Sequence, residues 1–248
     1  MLRIAAHLGK GGPGKSTLSW ILASFLSARR RVLAIDLDPQ GTLTNALVEE
    51  QPRLGTNDVL MKTASVQEAA VKATAAYGDR LHVLTASSAL STLEQQTAND
   101  FDRHYRLLDV LKEAHGFDVV IMDTPPNAGY LTVSTLVAAS HVLTPVSTEA
   151  AAFDQLPAFE RLLEQLSRRL NPQLIWAGIV PTRYDNRRRL DTEVLEAIRE
   201  NYTMVHPPIA ESVRIKEGMA RGTPANAAIT APFFTETVAS ILKAVGCE

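Results

Sequence analysis

A glycine-rich turn that closes on a lysine and a hydroxyl has the chemistry to hold phosphate, and Gly9-Lys10-Gly11-Gly12-Pro13-Gly14-Lys15-Ser16-Thr17 is such a turn. Gly9, Gly14, Lys15 and Ser16 satisfy the pattern G-x-x-x-x-G-K-[ST]. Glycines allow backbone N–H groups to converge on a phosphate chain, and a helix that starts at Thr17 adds its positive end. In this reading Lys15 reaches the β- and γ-phosphates and the Ser16 hydroxyl serves Mg²⁺. Gly11, Gly12 and Pro13 complete the cradle. Pro13 has no N–H, so one donor is missing, which weakens phosphate binding more than it abolishes it.

Two further stretches carry carboxylates that such a site needs. Asp36-Leu37-Asp38-Pro39-Gln40-Gly41 sets two of them at alternate positions, so on an extended segment they face opposite sides. One can face a metal shell while the other lies near the γ-phosphate, and spacing alone does not say which. Phe117-Asp118-Val119-Val120-Ile121-Met122-Asp123 is a buried-type strand ending in a carboxylate. A strand-end Asp123 beside the phosphate loop would hold Mg²⁺ directly or through water, completing with Ser16 the arrangement known as Walker B. Thr124-Pro125-Pro126-Asn127-Ala128-Gly129 follows it as a turn.

Pro181-Thr182-Arg183-Tyr184-Asp185 stands where a base-recognition loop is expected. It differs by one residue from [NT]-K-x-D, and an aspartate here could accept two hydrogen bonds from guanine, so the residues themselves leave ATP and GTP open. Arg187-Arg188-Arg189 comes next, ahead of a helical pattern through Leu190, Val194, Leu195 and Ile198. Cations at a helix N-terminus oppose its dipole by about 0.3–1 kcal/mol each, which points to a use beyond local stability.

These residues need a scaffold, and the apolar pattern supplies one. Strands are expected at Arg3–Leu8, Val32–Asp36, Leu81–Thr85, Val119–Asp123, Val142–Val146 and Leu174–Val180. Helices are expected near Ser16–Ala28, Leu90–His115, Tyr130–Ala139, Phe153–Leu170, Thr192–Asn201 and Pro232–Val245, with only a short helix inside the weakly patterned Gln51–Gly78. Alternation of this kind predicts an α/β fold with a mostly parallel twisted sheet covered by helices on both faces, and ligands at the carboxyl ends of its strands. The loops at His206-Pro207-Pro208-Ile209 and Gly222-Thr223-Pro224-Ala225 are expected to return over the nucleotide edge. No composition break marks a second unit, so residues 1–248 read as one domain without an N-terminal helix-turn-helix extension.

Composition sets outer limits. With 25 basic and 27 acidic side chains the net charge is −2, so any contact with nucleic acid must come from a local patch. One cysteine, Cys247, leaves no internal disulfide framework and no cysteine-only cluster within one chain, which fits a reducing cytoplasm. The first strand begins at once, leaving no room for a signal peptide, and no apolar stretch is long enough to span a bilayer.

Lys10, inside the loop and five residues before Lys15, is unnecessary for an ordinary phosphate loop. With Gly11 and Gly12 it resembles the deviant loop K-G-G-x-G-K-[ST] of the ParA/MinD family of dimeric P-loop ATPases, and Asp-Leu-Asp-Pro-Gln-Gly resembles the first switch on the ParA side of that family. The resemblance extends over nearly the whole chain. It implies ATP as nucleotide, with Thr182 and Arg183 beside the adenine, and a homodimer around two ATP molecules in which Lys10 crosses to the partner's nucleotide. It also implies Asp38 as the hydrolytic residue, Asp36 in the metal shell, and non-specific DNA contact through Arg187 and Arg214, with Arg188, Arg189 and Lys216 in the same patch. A ParB-like activator and nucleoid association in the ATP state follow from the same likeness. Two departures stand out: Pro13 replaces a common valine, and Leu8-Gly9 replace a polar pair before Lys10. A MinD-like membrane cycle would need a basic amphipathic C-terminal helix, and Thr235–Glu248 offers one lysine, Lys243, so no membrane partner is expected. A small-molecule phosphotransferase of the same fold is the alternative reading.

Overall fold

The computed structural model describes residues 1–9, 14–228 and 232–247. In chain order its strands are β1 (Leu2–Ala6), β2 (Val32–Asp36), β3 (Val71–Lys72), β4 (Leu81–Leu84), β5 (Val119–Asp123), β6 (His141–Ser147) and β7 (Ile175–Thr182). The helices in the first half are α1 (Lys15–Ser27), α2 (Thr42–Leu47), α3 (Thr56–Leu60), α4 (Val66–Ala69), α5 (Leu93–Gln96) and α6 (Arg106–Glu113). Those in the second half are α7 (Tyr130–Ala138), α8 (Ala150–Phe153), α9 (Leu156–Arg169), α10 (Arg189–Asn201), α11 (Val213–Ala220), α12 (Ala225–Ala228) and α13 (Pro232–Ala244).

The strands form a seven-stranded sheet in the order β3-β4-β2-β5-β1-β6-β7. Only the short edge strand β3 runs antiparallel, against β4. Near-continuous apolar strands suit a sheet covered on both faces, because each residue then meets a core whichever way it points. Ala5, Leu33, Ile35, Val120 and Met122 face one core with α6, α7 and α9. Their neighbours Ile4, Ala6, Val32, Ala34, Val119 and Ile121 face the other, with α1, α2 and α13.

Helix α1 is buried almost all round, which is why its sequence lacks a polar stripe. The Trp20 indole N–H donates to the Tyr77 hydroxyl at 2.8 Å, and that hydroxyl donates to the Ala46 carbonyl at 3.2 Å. This polar chain satisfies the two large amphipathic rings where the helix packs. The end of α1 that carries Lys15 is thereby fixed beside the carboxyl ends of β1, β5 and β2.

The free edge of β7 is lined by the following chain. Residues 204–211 run parallel to it through Ile179 N–H to Met204 O (2.8 Å), His206 N–H to Ile179 O (2.9 Å), Ile209 N–H to Pro181 O (2.8 Å) and Glu211 N–H to Tyr184 O (2.9 Å). Pro207 and Pro208 cannot donate to a further strand, so the sheet stops there. The same bonds bring Ile209–Ser212 up to the loop after β7.

Four expectations change. The helix expected over Leu90–His115 is broken into α5, short 3₁₀ turns and α6, because Asn99-Asp100 and Asp102 favour turns and interrupt the apolar period. The helix expected over Phe153–Leu170 is α9, which starts three residues later at Leu156, with the separate short α8 ahead of it. Helix α10 begins at Arg189, so this arginine lies within the helix. Gln51–Gly78 holds α3, α4 and β3, elements too short to show a period. Among the described residues no helix is long and apolar enough to cross a membrane.

Candidate functional site

At the carboxyl end of the sheet Asp36, Ala6 and Asp123 stand in one register row, since Ala6 and Asp36 both pair with Asp123. Both carboxylates are fully buried. Burial pushes the Asp123 carboxyl up to about 8, and the neighbouring Asp36 adds to the shift. Hydrogen bonding to Ser16 and Ser19 and the charge of Lys15 oppose it. The Ser19 hydroxyl donates to Asp123 Oδ1 at 3.2 Å, while Oδ2 has no hydrogen-bond partner among the described residues. A buried carboxylate oxygen left unpaired in this way fits a cation ligand.

Asp36 is engaged differently. Its Oδ2 accepts from the backbone N–H and the hydroxyl of Thr44, both at 2.8 Å, and its Oδ1 accepts from Asp38 N–H at 3.1 Å. It therefore caps the first turn of α2 and shapes the Asp38 turn. Burial still raises its carboxyl to about 6. Between the two, Asp123 is the carboxylate with an oxygen to offer a metal, and Asp36 contributes its charge from a bonded position. No cluster of three His, Cys, Asp or Glu side chains exists among the described residues. A cation here would take one carboxylate plus hydroxyl and phosphate oxygens, a ligand set that suits Mg²⁺.

Lys15 is buried at the start of α1, and burial lowers its pKa against the opposing charges of Asp123 and Asp38. The ammonium thus lies in the field of both carboxylates, where phosphate charge would be met. Asp38 is half-buried, and its Oδ1 accepts from Gln40 N–H at 3.0 Å, which holds the turn closed. Lys10, Gly11, Gly12 and Pro13 lie outside the described residues.

Gly14 joins the phosphate loop to the base loop. Its φ is +119°, and a Cβ there would sit 3.0 Å from Thr182 Cγ2 and Oγ1. Beyond this contact a cavity of about 120 Å³ opens among Gly14, Thr17, Thr182, Arg183, Ile209 and Met219, flanked by Ser212 and Lys216. Its position next to the loop and its largely apolar walls suit a nucleobase. Thr182 and Arg183 line it. Arg183 holds the left-handed backbone, φ 57°, and its guanidinium lies 3.7 Å from Glu149. Ile209 lines the cavity, and Gly222 lies by Thr74 and Ala46.

Asp185 lies outside this cavity. Its carboxylate accepts from Arg187 Nε at 2.9 Å and Nη2 at 2.8 Å, and these bonds hold its pKa down at about 2. A carboxylate so occupied is poorly placed to read guanine. The basic run is answered locally as well: Arg188 lies 3.1 Å from Glu211, Arg189 pairs with Glu193 at 2.7 Å, and Lys216 is 3.8 Å from Glu211. These carboxylates offset the dipole penalty expected for the run. Arg214 is exposed and makes no ion pair among the described residues. Its neighbour Val213 is also exposed.

Three contributors escape a reading of the sequence alone. Ser19 follows Ser16 by one helical turn, and that i, i+3 pair of hydroxyls on an apolar helix was a readable signal. Thr44 carried none, since it meets Asp36 only through the fold. His7 is buried, its Nδ1 2.8 Å from Thr124 Oγ1 and its ring 5.6 Å from that of Phe159. Burial, with the charge of Lys15, lowers the His7 pKa to about 3, so the ring stays neutral. Leu8, one of the two unusual residues before Lys10, is a fully buried core residue, and Gly9 faces Gln155 Oε1.

A parallel sheet ending in a lysine-bearing helix N-terminus and two buried aspartates defines the P-loop nucleotide-binding class. A protein-family profile described as an AAA domain matches residues 1–176. The chromosome partitioning protein ParA of Caulobacter vibrioides is 37% identical over 223 residues, covering 87% of this chain and 82% of its own. The sporulation initiation inhibitor protein Soj of Bacillus subtilis is 31% identical over 227 residues, 89% of this chain and 88% of its own. Among solved structures, cobyrinic acid a,c-diamide synthase from Mycobacterium smegmatis with bound ADP and magnesium superposes with a TM-score of 0.78 at 31% identity, covering 90% of each chain. The chain belongs to the ParA/MinD family of P-loop ATPases.

Proposed function

We propose that this chain is a partitioning ATPase that dimerises around two ATP molecules, binds DNA non-specifically in that state, and lets go after hydrolysis stimulated by a ParB-like partner. The observation that carries the reading is the convergence of Lys15, Asp38 and Asp123 beside the cavity bounded by Gly14, Thr17 and Thr182. The relatives named as chromosome partitioning proteins support the output, and the ADP and magnesium bound to the superposed synthase support the ligands.

In this reading Ser16 and Asp123 would hold Mg²⁺, with Asp36 adding negative charge behind them. The ion would neutralise phosphate charge and orient the β- and γ-phosphates. Lys15 binds those phosphates, and Thr17 stands in the helix turn whose N-terminus faces the anion. Asp38 orients a water molecule toward the γ-phosphorus. The water oxygen forms a bond to phosphorus as the bond to the bridging oxygen breaks; ADP leaves with the electron pair, and the water's protons pass to the product phosphate and solvent. Lys10 of the partner subunit adds positive charge to the same phosphates. Arg187, Arg188, Arg189, Arg214 and Lys216 contribute the DNA patch, with contacts that are phosphate-directed and salt-sensitive. Phosphate can displace Glu193, the exposed partner of Arg189, because surface ion pairs are worth only about 0–1 kcal/mol.

Light scattering with ATP tests the dimer. Lys10→Ala is expected to stay monomeric, and Asp38→Ala to dimerise without turning over. A Lys10→Ala protein that dimerises like the parent would refute the shared site. The name of the superposed synthase favours one second reading, a small-molecule enzyme of the same fold. Turnover that depends on an added metabolite and ignores DNA would select it.

A further inference from the structure

The backbone ladder between β1 and β5 ends at the pair Ala6 and Asp123. Beyond that pair the two chains diverge, one into the phosphate loop and the other into the Thr124–Gly129 turn. The His7 N–H turns the other way, donating to Leu143 O of β6 at 3.0 Å. Across the fork, two side-chain hydrogen bonds take over. Thr124 Oγ1 donates to the Ala6 carbonyl at 2.8 Å, which commits its only proton. The 2.8 Å contact from His7 Nδ1 must then be an N–H donated to Thr124 Oγ1, which fixes the tautomer. Phe159 of α9 packs against the ring, whose residue is 1% exposed, so the imidazole has little freedom to turn.

We propose that His7 is a positioning residue for nucleotide hydrolysis: its Nδ1–H holds the Thr124 hydroxyl, and so fixes the start of the Thr124–Gly129 turn and the adjoining Asp123 relative to the strand that carries the phosphate loop. Its place explains why a polar residue occupies a core position two residues before Gly9. Removing the donor leaves Thr124 held only through its bond to the Ala6 carbonyl, with a buried oxygen underpaired at the point where the two ligand-binding loops separate. The ring touches neither the reacting atoms nor a transferred proton. It acts through Thr124.

The inference rests on the ATPase reading, so ATP turnover by the unaltered protein is measured first. A double-mutant cycle then tests the strut through His7→Leu, which removes the donor at similar volume, Thr124→Val, which removes the hydroxyl, and the pair together. Each single change is expected to lower kcat about tenfold and leave KM for ATP within about twofold, with the double variant no slower than the slower single. His7→Asn, whose side-chain N–H can stand where Nδ1–H stood, is expected to recover most of the loss. Losses that multiply in the double variant, a His7→Asn protein as slow as His7→Leu, or a change confined to melting temperature would each overturn the proposal. Absence of turnover in the unaltered protein would overturn the ATPase reading and the proposal together, whereas normal turnover with multiplying losses would overturn the proposal alone. If His7→Leu does not fold, the ¹⁵N spectrum of the His7 ring decides. A neutral ring protonated at Nδ1 that changes in Thr124→Val supports the strut, and a ring protonated at Nε2 refutes it.

Discussion

Replacing Asp123 by Asn separates the stability of the site from its ligand chemistry. The Asp123 carboxyl ordinarily titrates near 3.8 and is pushed up to about 8 in the fold, chiefly by burial. A raised carboxyl pKa means that the folded protein holds a proton which the unfolded chain gives up. Below about pH 4 both states are protonated and the group costs nothing. From there to about pH 8 stability falls as pH rises, by about 1.4 kcal/mol per unit. At pH 7 the penalty reaches at most about 4 kcal/mol. Asn is neutral throughout, keeps an oxygen for the Ser19 hydroxyl, and puts an amide N–H where the protonated acid has its O–H. It therefore imitates the protonated state. Without nucleotide, Asp123→Asn should melt higher than the parent at pH 7.5, by up to about 10 °C for a protein of this size, and by little at pH 4.5. Asp36, raised to about 6, is common to both proteins and largely cancels in the comparison. Adding Mg²⁺ and ATP should reverse the order, because the carboxylate offers the ion a charged oxygen where the variant offers an amide N–H. Melting curves across this pH range, with and without Mg-ATP, make the check. An Asn variant that is less stable than the parent at pH 7.5 without ligand would refute the burial argument, and equal stabilisation of both by Mg-ATP would remove Asp123 from the metal site.

Two other changes probe the loops around it. Gly14→Ala forces a side chain onto a φ of +119° and within 3.0 Å of Thr182, so a cost of about 1–3 kcal/mol and at least a tenfold loss of ATP affinity by calorimetry are expected, and unchanged affinity would count against the Gly14–Thr182 junction as a binding wall. For the basic face, Arg214→Ala should lower non-specific duplex affinity in the ATP state and reduce the slope of log K against log salt by about one. Arg168→Ala, an exposed control on α9 away from this face, should change neither, and equal effects from the two would dismiss the patch.

Much of the site was legible because its chemistry is local in sequence. Lys15 and Ser16 belong to the turn whose glycines admit phosphate, and Asp123 ends a strand whose apolar run announces it. Asp36 was legible as a carboxylate but not in its bonding. Its partner Thr44 is eight residues on, and only the turn at Asp38–Gly41 folds the first turn of α2 back onto it. The arginine run misled in one respect, since Glu211 lies more than twenty residues from Arg188 and meets it only because 204–211 runs alongside β7. The broken helix between Leu90 and His115 shows the opposite failing, an apolar count that outweighed turn-forming Asn and Asp.

By itself, then, the sequence determined a P-loop motif on a parallel α/β sheet, because glycine turns, strand-end carboxylates and helical periods act over a few residues. Tertiary structure decided which carboxylate has an unpaired oxygen, what walls the cavity beside Gly14 and what links the two diverging chains. Those answers depend on contacts between residues far apart in the chain: Asp123 with Ser19, Gly14 with Thr182, and His7 with Thr124 across 117 positions. No pattern in one stretch of chain can encode such a pairing, since it exists only once the sheet has set its strands side by side.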